Sequence, residues 1–244
     1  MKRVLLTAVV ALCTILTLSA QEDYHRAQLY FEPEQMPDMK QFLPGPPAES
    51  SEAFKYDIAV YELGKKIRAT DEKAAKAAKE QSDNSIENIC KQFSEPFGFE
   101  ITAQSTPEIF ILLRDGVITS VKSVVAPKEY YHRTRPFAYH KEGTLMPDSE
   151  GMLHQNGSFP SGHTLRGWTA ALLLLEVNPD RAEQLLSLGY QYGQSRVISG
   201  YHWQSDVDAS RLVAAAAVAK LHTSPRFCKQ MKRAQREFRR ISKQ

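Results

Sequence analysis

The sequence predicts an all-α protein built as a single domain. Long segments place apolar residues at the three- and four-residue spacing of helices, and helix-ending signals separate these segments. No stretch alternates apolar and polar residues for long enough to build a sheet. The chain has 244 residues, 42% of them hydrophobic and 24% charged, which is ordinary for a globular protein. A single-domain helical bundle is therefore the expected architecture.

Residues 1–20 have the pattern of a secretory signal peptide. Two cations precede an apolar run that extends to Leu18, and a small-residue cleavage site follows at Ser19 and Ala20. The run is shorter than a membrane anchor and lacks a stop-transfer pattern. We therefore expect the mature chain to begin near Gln21 and to be periplasmic or secreted.

Residues 21–51 contain five prolines and are expected to form an extended arm ahead of a helical domain over 52–244. A further helix is expected to begin near Pro127 and to carry both Lys128 and Arg135, two turns apart. No apolar run of the mature chain approaches the ~20 residues of a membrane span, so stable membrane insertion is not expected. The other helices predicted from the pattern cover 52–68, 71–81, 84–93, 109–125, 165–177, 180–195 and 203–221.

The charge of the chain is local rather than global. Without the signal peptide the formal net charge falls from +3 to about +1, which gives no field to attract nucleic acid. Residues 220–244 nevertheless hold nine Lys or Arg against one Glu. Their apolar residues recur at helical spacing and predict an amphipathic terminal helix with a solvated basic face. Binding of that face to nucleic acid or to an anionic surface is the alternative. The apolar positions are Phe227, Met231, Ala234 and Phe238.

Two cysteines, Cys90 and Cys228, remain after removal of the signal peptide. An exported protein can bridge such a pair, but spacing alone does not show whether they meet, so a disulfide stays open. The sequence has no CxxC pair and no clustered metal-ligating residues, so we expect neither zinc nor thiol catalysis.

The tetrapeptide Pro160-Ser161-Gly162-His163 directly precedes the most apolar predicted helix. Ser161 and Gly162 then lie at a helix N-terminus, where free amides and the helix dipole favour an anion. The hydroxyl of Ser161 would add a donor, and Gly162 would allow close approach of the backbone. The alternative is an ordinary N-cap at Ser161 beside a surface histidine, His163.

His202 and Asp206 are four residues apart at the start of a predicted helix. At that spacing the carboxylate accepts a hydrogen bond from one imidazole nitrogen and leaves the other unprotonated and nucleophilic, as in a catalytic triad. Arg196, six residues before His202, adds a third cation to Lys128 and Arg135. Each feature alone is also explained by a solvated helix face or a surface ion pair.

The order and spacing of these motifs resemble those of the phosphatidic acid phosphatase type 2 (PAP2) and vanadium haloperoxidase superfamily. The shared pattern is Lys-x6-Arg-Pro, then Pro-Ser-Gly-His, then Ser-Arg-x5-His-x3-Asp. The longer stretches over 157–164 and 193–209 are more similar to bacterial class A non-specific acid phosphatases. This resemblance covers nearly the whole mature chain.

The resemblance implies an acid phosphatase that hydrolyses small phosphomonoesters without metal or other cofactor and is inhibited by vanadate. His202 would attack phosphorus to form a phosphohistidine, Asp206 would orient His202, and His163 would protonate the leaving alcohol. The residues implied to hold the phosphate are Lys128, Arg135, Ser161, Gly162 and Arg196.

Three other functions are open at this point. A vanadate-dependent haloperoxidase would hold vanadate in the same cradle and oxidise bromide with peroxide. An integral lipid phosphatase is disfavoured because the mature chain lacks transmembrane runs. A non-catalytic phosphate-binding or surface-adhesive protein is disfavoured because both histidines and Asp206 are present. The preferred ester is not determined by the sequence, and neither is assembly into a homo-oligomer.

Overall fold

A computed structural model describes residues 26–243. The predicted signal peptide, the first residues of the arm and Gln244 lie outside the described residues. Within residues 26–243 every regular element is a helix, which confirms the predicted all-α class. None of the helices in that range is long and apolar enough to cross a membrane.

The α-helices follow the predicted order along the chain. Serine or aspartate caps five of them by accepting a hydrogen bond from the third helical amide, which satisfies one of the free donors of the first turn. The helices are α1 Glu52–Thr70, α2 Glu72–Glu80, α3 Ile86–Phe97, α4 Pro107–Val121, α5 Val125–Tyr131, α6 Pro136–His140, α7 Glu150–Leu153, α8 Gly162–Val177, α9 Ala182–Ile198, α10 Gln204–Leu221 and α11 Pro225–Ile241.

The apolar helix α8 lies at the centre of the bundle and packs against α4, α9 and α10. Its side chains Leu173 and Leu174 are fully buried in the main core, together with Phe93 and Phe97 of α3. Because α8 is enclosed along its length, its N-terminus is held in a fixed position relative to the ends of α9 and α10. That end of the bundle brings the predicted site residues together.

The proline-rich segment begins along α4. The amides of Gln28 and Tyr30 donate to Asp115 Oδ1 and Thr119 Oγ1, each at 3.1 Å. Between residues 27 and 51 the regular elements are two short 3₁₀ turns, Pro33–Gln35 and Met39–Gln41.

The ends of α3 and α4 each differ from the sequence prediction by four residues. Helix α3 continues past Phe93 to Phe97, because both phenylalanines lie on the face that the core buries. Helix α4 ends at Val121, and a 3₁₀ turn over Lys122–Val124 separates it from α5.

The prediction that Lys128 and Arg135 share one helix is wrong. Helix α5 ends at Tyr131, and His132 adopts a left-handed conformation with φ 44°. Arg135 is extended, with ψ 152°, and Pro136 opens α6. The proline is the cause, because its ring disfavours helical backbone in the residue before it.

Helix α11 is amphipathic, as predicted. Phe227, Met231 and Ala234 are buried against the bundle, and the buried carboxylate of Glu237 accepts a hydrogen bond from the Ile109 amide at 2.9 Å. Lys243, just after the helix, is exposed, and so are the cations of α11 itself: Arg226, Lys229, Lys232, Arg233, Arg236, Arg239 and Arg240. No disulfide joins Cys90 to Cys228, which answers the question that the sequence left open.

Candidate active site

The predicted site residues come from six places in the chain that meet at the N-terminal end of α8. Lys128 lies on α5 and Arg135 precedes α6. Arg196 lies in the last turn of α9 and Asp206 in the first turn of α10. His202 lies in the turn between α9 and α10. Ser161 caps α8, and Gly162 and His163 are its first two residues.

The turn that carries His202 depends on Gly200. Gly200 has a φ of 86°, a conformation that side chains with a Cβ rarely adopt. The turn is closed by the carbonyl of Arg196, which accepts hydrogen bonds from the amides of Tyr201 at 3.0 Å and His202 at 3.4 Å. The backbone thereby fixes His202 next to the end of α9.

The hydrogen bonds of His202 define its neutral form. Nη1 of Arg135 lies 3.2 Å from His202 Nε2, and a guanidinium can only donate, so Nε2 accepts. Nδ1 then carries the proton and donates it to Asp206 Oδ2 at 3.2 Å. Burial, and next Arg135, lower the pKa of His202 well below its ordinary value. The structure therefore presents an imidazole whose Nε2 lone pair faces the cationic side of the site.

Asp206 is fully buried and hydrogen-bonded at both carboxylate oxygens. Oδ2 accepts from the amide of Trp203 at 2.9 Å and from the hydroxyl of Ser158, while Oδ1 accepts from Arg133 Nη1 at 2.6 Å. Burial opposes ionisation, but the hydrogen bond from His202 and the charge of Arg133 outweigh it and hold the pKa of Asp206 well below its usual range. Asp206 is thus an ionised partner for His202.

Arg135 is the most extensively bonded of the three cations. It is 4% exposed and donates to three carbonyl oxygens of the loop before α8, those of Leu153, Asn156 and Gly157, at 3.0–3.4 Å. Its Nη1 also donates to the carbonyl of Tyr201 at 3.1 Å. Burial lowers the pKa of Arg135 to about 10. Arg135 therefore ties this loop to the turn that carries His202.

Lys128 approaches the same loop from α5. Its Nζ donates to the carbonyls of Gly157 at 2.7 Å and Ser158 at 3.4 Å. Burial, followed by the charge of Arg135, lowers the pKa of Lys128 to about 7. Gly157 is required for this approach, because a Cβ there would collide with the carbonyl oxygen of Lys128.

Arg196 has the least satisfied charge in the site. Its side chain is 3% exposed, its guanidinium carbon lies 4.7 Å from the centre of the Tyr201 ring, and Nε and Nη1 have no hydrogen-bond partner among the described residues. Burial, partly opposed by Tyr201 and assisted by the charge of Arg135, lowers the pKa of Arg196 to about 10. Buried donors on a cation are costly without an acceptor, so this geometry favours an anion.

The N-terminus of α8 lies beside Asp206 and is partly occupied. The Ser161 amide donates to the main-chain oxygen of Asp206 at 3.2 Å, so it is not available to a ligand. Ser161 Oγ accepts from the amide and the hydroxyl of Thr164, at 3.3 and 2.9 Å, which leaves its own proton to donate. The amide of Gly162 has no partner within the helix, since it belongs to the first turn. A Cβ at Gly162 would meet only Val124 and Val121, at 3.9 and 4.0 Å.

His163 points toward the turn after α2. Its Nε2 lies 2.9 Å from the carbonyl oxygen of Ser82, which can only accept, so Nε2 carries a proton. Burial, and next the charge of Arg196, lower the pKa of His163 well below its ordinary value. In its neutral form the imidazole therefore has its lone pair on Nδ1.

Sequence reasoning missed three residues that contact Asp206 or its partners. Arg133 and Ser158 bond directly to Asp206, and Asp57 of α1 accepts from Arg133. Arg133 and Ser158 both lie inside the sequence motifs. Because a buried carboxylate such as Asp206 requires a cation or donor nearby, other residues of these motifs were its expected partners. Asp57 has no such signal, because it lies 76 positions from Arg133 in the sequence.

Comparison with known proteins places the chain in a family. The sequence model of the PAP2 superfamily matches residues 109–229. The non-specific acid phosphatase of Providencia stuartii is 44% identical over 88% of this chain and 86% of its own length. The non-specific acid phosphatase of Salmonella typhimurium is 40% identical over 86% and 84%. An acid phosphatase of Zymomonas mobilis is 28% identical over 81% and 74%.

The chain therefore belongs to the non-specific acid phosphatases of the PAP2 superfamily. The predicted enzyme class, a phosphoric monoester hydrolase, is confirmed by this membership. All eight predicted site residues lie within the region that the superfamily model matches, whereas Asp57 lies outside it.

Proposed function

We propose that this protein is an exported acid phosphatase that hydrolyses small phosphomonoesters without metal, through a phosphohistidine at His202. The observation that carries the proposal is the position of the neutral His202. Its Nε2 lies 3.2 Å from Nη1 of Arg135, which is one of the three cations of the cradle. A phosphate oxygen bound by Arg135 would lie next to the attacking nitrogen. Phosphoryl transfer depends mainly on such positioning and on charge stabilisation.

Lys128, Arg135 and Arg196 are the proposed ligands of the phosphate dianion, with the Ser161 hydroxyl and the Gly162 amide. Burial lowers the pKa of all three cations, and the charge of Arg135 contributes to the lowering for Lys128 and Arg196. An anion of two charges among them relieves both effects, so the cradle binds the dianion and the equatorial oxygens of the transition state. These side chains supply the positive charge that Mg²⁺ supplies in other phosphoryl-transfer enzymes.

In the first chemical step, His202 Nε2 forms a bond to phosphorus while the ester P–O bond breaks. The leaving oxygen takes a proton from His163. The proton on His202 Nδ1 stays hydrogen-bonded to Asp206, whose negative charge stabilises the positive phosphoimidazole. In the second step water attacks phosphorus, His163 accepts a proton from that water, and the N–P bond breaks to release phosphate.

The proton that His163 gives must come from Nδ1. Its Nε2–H donates to the carbonyl of Ser82, so Nδ1 is the nitrogen that is free to exchange a proton with the substrate. The dianion favours protonation of His163, because it opposes the effect of Arg196 on the imidazole. Binding of substrate thereby supplies the acid that the first step needs.

The proposal is tested by the turnover of the mature protein on a panel of phosphomonoesters, with and without EDTA. We expect hydrolysis of a nitrophenyl ester that EDTA does not reduce and that vanadate inhibits, since vanadate mimics the transferring phosphoryl group. His202→Ala is expected to lower kcat by at least about 10⁴-fold. His222→Ala is the matched control, because His222 also pairs with a carboxylate, Glu176, at 2.9 Å.

Loss of activity in EDTA that Mg²⁺ or Zn²⁺ restores would disprove the metal-free mechanism. Peroxide-dependent oxidation of bromide by the vanadate-loaded protein, with no ester hydrolysis, would identify a haloperoxidase instead. Equal loss of activity in His202→Ala and His222→Ala would show that the nucleophile is assigned wrongly.

A further inference from the structure

Behind His202, two carboxylates and one guanidinium form a buried network of ion pairs that leads from the site to α1. Arg133 Nη1 donates to Asp206 Oδ1 at 2.6 Å, and Arg133 Nη2 donates to Asp57 Oδ2 at 2.7 Å. Both carboxylates are fully buried, and the Arg133 side chain is 8% exposed. A single planar guanidinium thus bridges the aspartate beside His202 and an aspartate on another helix.

Ser205, at the start of α10, completes this network. Its amide and hydroxyl donate to the two carboxylate oxygens of Asp57 at 2.8 and 2.6 Å, and its Oγ also lies 2.8 Å from Arg133 Nη1. The main-chain oxygen of Arg133 accepts from the Ser158 amide at 2.8 Å. Arg133 therefore fixes both the loop before α8 and the helix that carries Asp206.

This network of ion pairs determines the direction in which the Asp206 carboxylate points. Arg133 bonds to Oδ1, whereas His202 Nδ1 shares Oδ2 with the Trp203 amide and the Ser158 hydroxyl. The bond from Arg133 therefore fixes the rotation of the carboxylate that presents Oδ2 to His202. The guanidinium also lies 5.5 Å from the Trp203 ring and 5.9 Å from the Phe54 ring, which restricts its own movement. Buried ion pairs contribute little net stability compared with apolar packing, so stability alone does not account for this arrangement.

We propose that Arg133 and Asp57 are positioning residues for phosphoryl transfer: Arg133 holds the Asp206 carboxylate against His202, and Asp57 holds Arg133. This inference rests on the proposed phosphohistidine mechanism. It assigns to α1, a helix outside the region matched by the superfamily model, a role in the chemistry at His202.

The charge of Arg133 also sets how strongly Asp206 attracts a proton onto His202. Asp206 favours the charged imidazole, and the positive Arg133 partly neutralises Asp206. Other charged groups that face His202 are Arg135 and Lys128, and both disfavour the charged imidazole. Removing the charge of Arg133 is therefore expected to raise the pKa of His202. Because the attacking imidazole must be neutral, the acid limb of the kcat profile should move to higher pH.

The test compares Arg133→Gln, Arg133→Lys and Asp57→Asn in the full-length mature protein, with folding checked by circular dichroism. Arg133→Gln and Asp57→Asn are expected to lower kcat about 10- to 100-fold, the usual cost of removing a group that orients a reacting one. KM and the vanadate inhibition constant should stay within about threefold, since Lys128, Arg135 and Arg196 remain.

Arg133→Lys keeps the charge but cannot bridge both carboxylates as a fork. We expect it to lower kcat while leaving the acid limb near the wild-type pH, whereas Arg133→Gln moves that limb upward. The control is Glu142→Gln, which removes the negative charge of the side chain that accepts from Tyr61 and Lys65 on α1 without touching Arg133. It should change neither kcat nor the acid limb.

A folded Arg133→Gln protein with wild-type kcat and acid limb would overturn the proposal. So would a Glu142→Gln protein that reproduces the effects of Asp57→Asn, because loosening of α1 would then explain them. If Arg133→Gln does not fold, Arg133→Lys and Asp57→Asn decide between the same outcomes. A wild-type protein that hydrolyses no phosphomonoester would instead overturn the proposed function, and the positioning role with it.

Discussion

The cations of this protein lie in two opposite environments. On α11 seven Lys or Arg are exposed along a helix whose only acidic residue is the buried Glu237, and the exposed Lys243 follows the helix. At the N-terminal end of α8 two buried arginines, Arg135 and Arg196, lie with the partly buried Lys128, and the pKa of each is lowered. The α11 segment, residues 225–244, has a formal charge of +7, which leaves −4 for the rest of a chain whose total is +3.

The difference shows that solvent exposure, rather than the number of charges, indicates where an anion is needed. Water and mobile ions screen the α11 cations, so their positions require no partner. At the buried site, the guanidinium of Arg196 has two nitrogens without an acceptor among the described residues. A buried cation cluster costs stability unless an anion joins it, which is typical of a functional site.

Among substitutions of the cations, the largest expected effect comes from removing Arg196, the least satisfied buried cation. Arg196→Gln should lower kcat/KM about 10³-fold, because the transition state loses a preorganised charge. Arg236→Gln on α11 is the matched control and should leave kcat/KM within about twofold. Steady-state kinetics on a nitrophenyl ester measures both variants. A loss below tenfold for Arg196→Gln would remove Arg196 from the phosphate cradle.

The next effect concerns pH. The pKa of Lys128 is lowered to about 7, so Lys128 is charged in mildly acidic solution and loses its charge above neutrality. The low pKa of His202 keeps the nucleophile neutral at pH 5–6, so we expect the optimum at roughly pH 5–6. At about pH 8, kcat/KM should be roughly tenfold below its maximum. Lys128→Arg should move the alkaline limb upward, and an unchanged limb would show that Lys128 does not set it.

A smaller effect is expected on the free energy of unfolding, which should rise in a Lys128 variant whose activity falls. The pKa of Lys128 is lower in the folded protein than in the unfolded chain, so its charge destabilises the fold below about pH 7. Lys128→Met should therefore raise the free energy of unfolding at pH 6 by about 1 kcal/mol or more, while activity falls. The gain should shrink as the pH rises toward 10.

Urea unfolding at pH 6 and pH 9 measures this gain. Lys229→Met on α11 is the control and should change the free energy of unfolding by less than about 0.5 kcal/mol. A destabilised Lys128→Met protein would mean that the bonds of Lys128 to Gly157 and Ser158 outweigh the cost of its burial.

The smallest effect is expected from the basic face itself. The triple variant Lys232→Gln, Arg233→Gln and Arg236→Gln should leave kcat and KM for a small ester within about twofold, because these side chains are exposed and lie on another element of the bundle. Steady-state assays at low and moderate salt measure it. A large rise in KM at low salt would show that the basic face contributes to substrate capture.

Local chemistry explains how much of the fold the sequence predicts. The caps Ser51, Asp71 and Ser85 sit where serine and aspartate precede helical segments, and the apolar spacing of α8 and α11 matches their buried faces. The wrong prediction that Arg135 shares a helix with Lys128 also has a local cause, because Pro136 disfavours helical backbone in the residue before it.

The remaining features depend on contacts between distant segments. Asp57 meets Ser205 across 148 positions, and His163 meets the carbonyl of Ser82 across 81. Helix periodicity indicates that Asp57 is on a helix but not what its buried face meets. The sequence therefore predicts which residue types form the candidate site, while the support behind Asp206 is visible only in the folded structure.

In the proposed mechanism the cationic cradle positions a phosphoryl group for attack by His202. The most direct measurement is a rapid alkaline quench during turnover of a nitrophenyl ester, followed by mass spectrometry of the labelled peptide. We predict one phosphoryl group on His202, none in His202→Ala, and an increased amount in His163→Ala, since loss of His163 slows hydrolysis of the intermediate. A phosphoryl group on another residue would contradict the proposed mechanism. So would an active wild-type enzyme if neither it nor His163→Ala forms a phosphoenzyme.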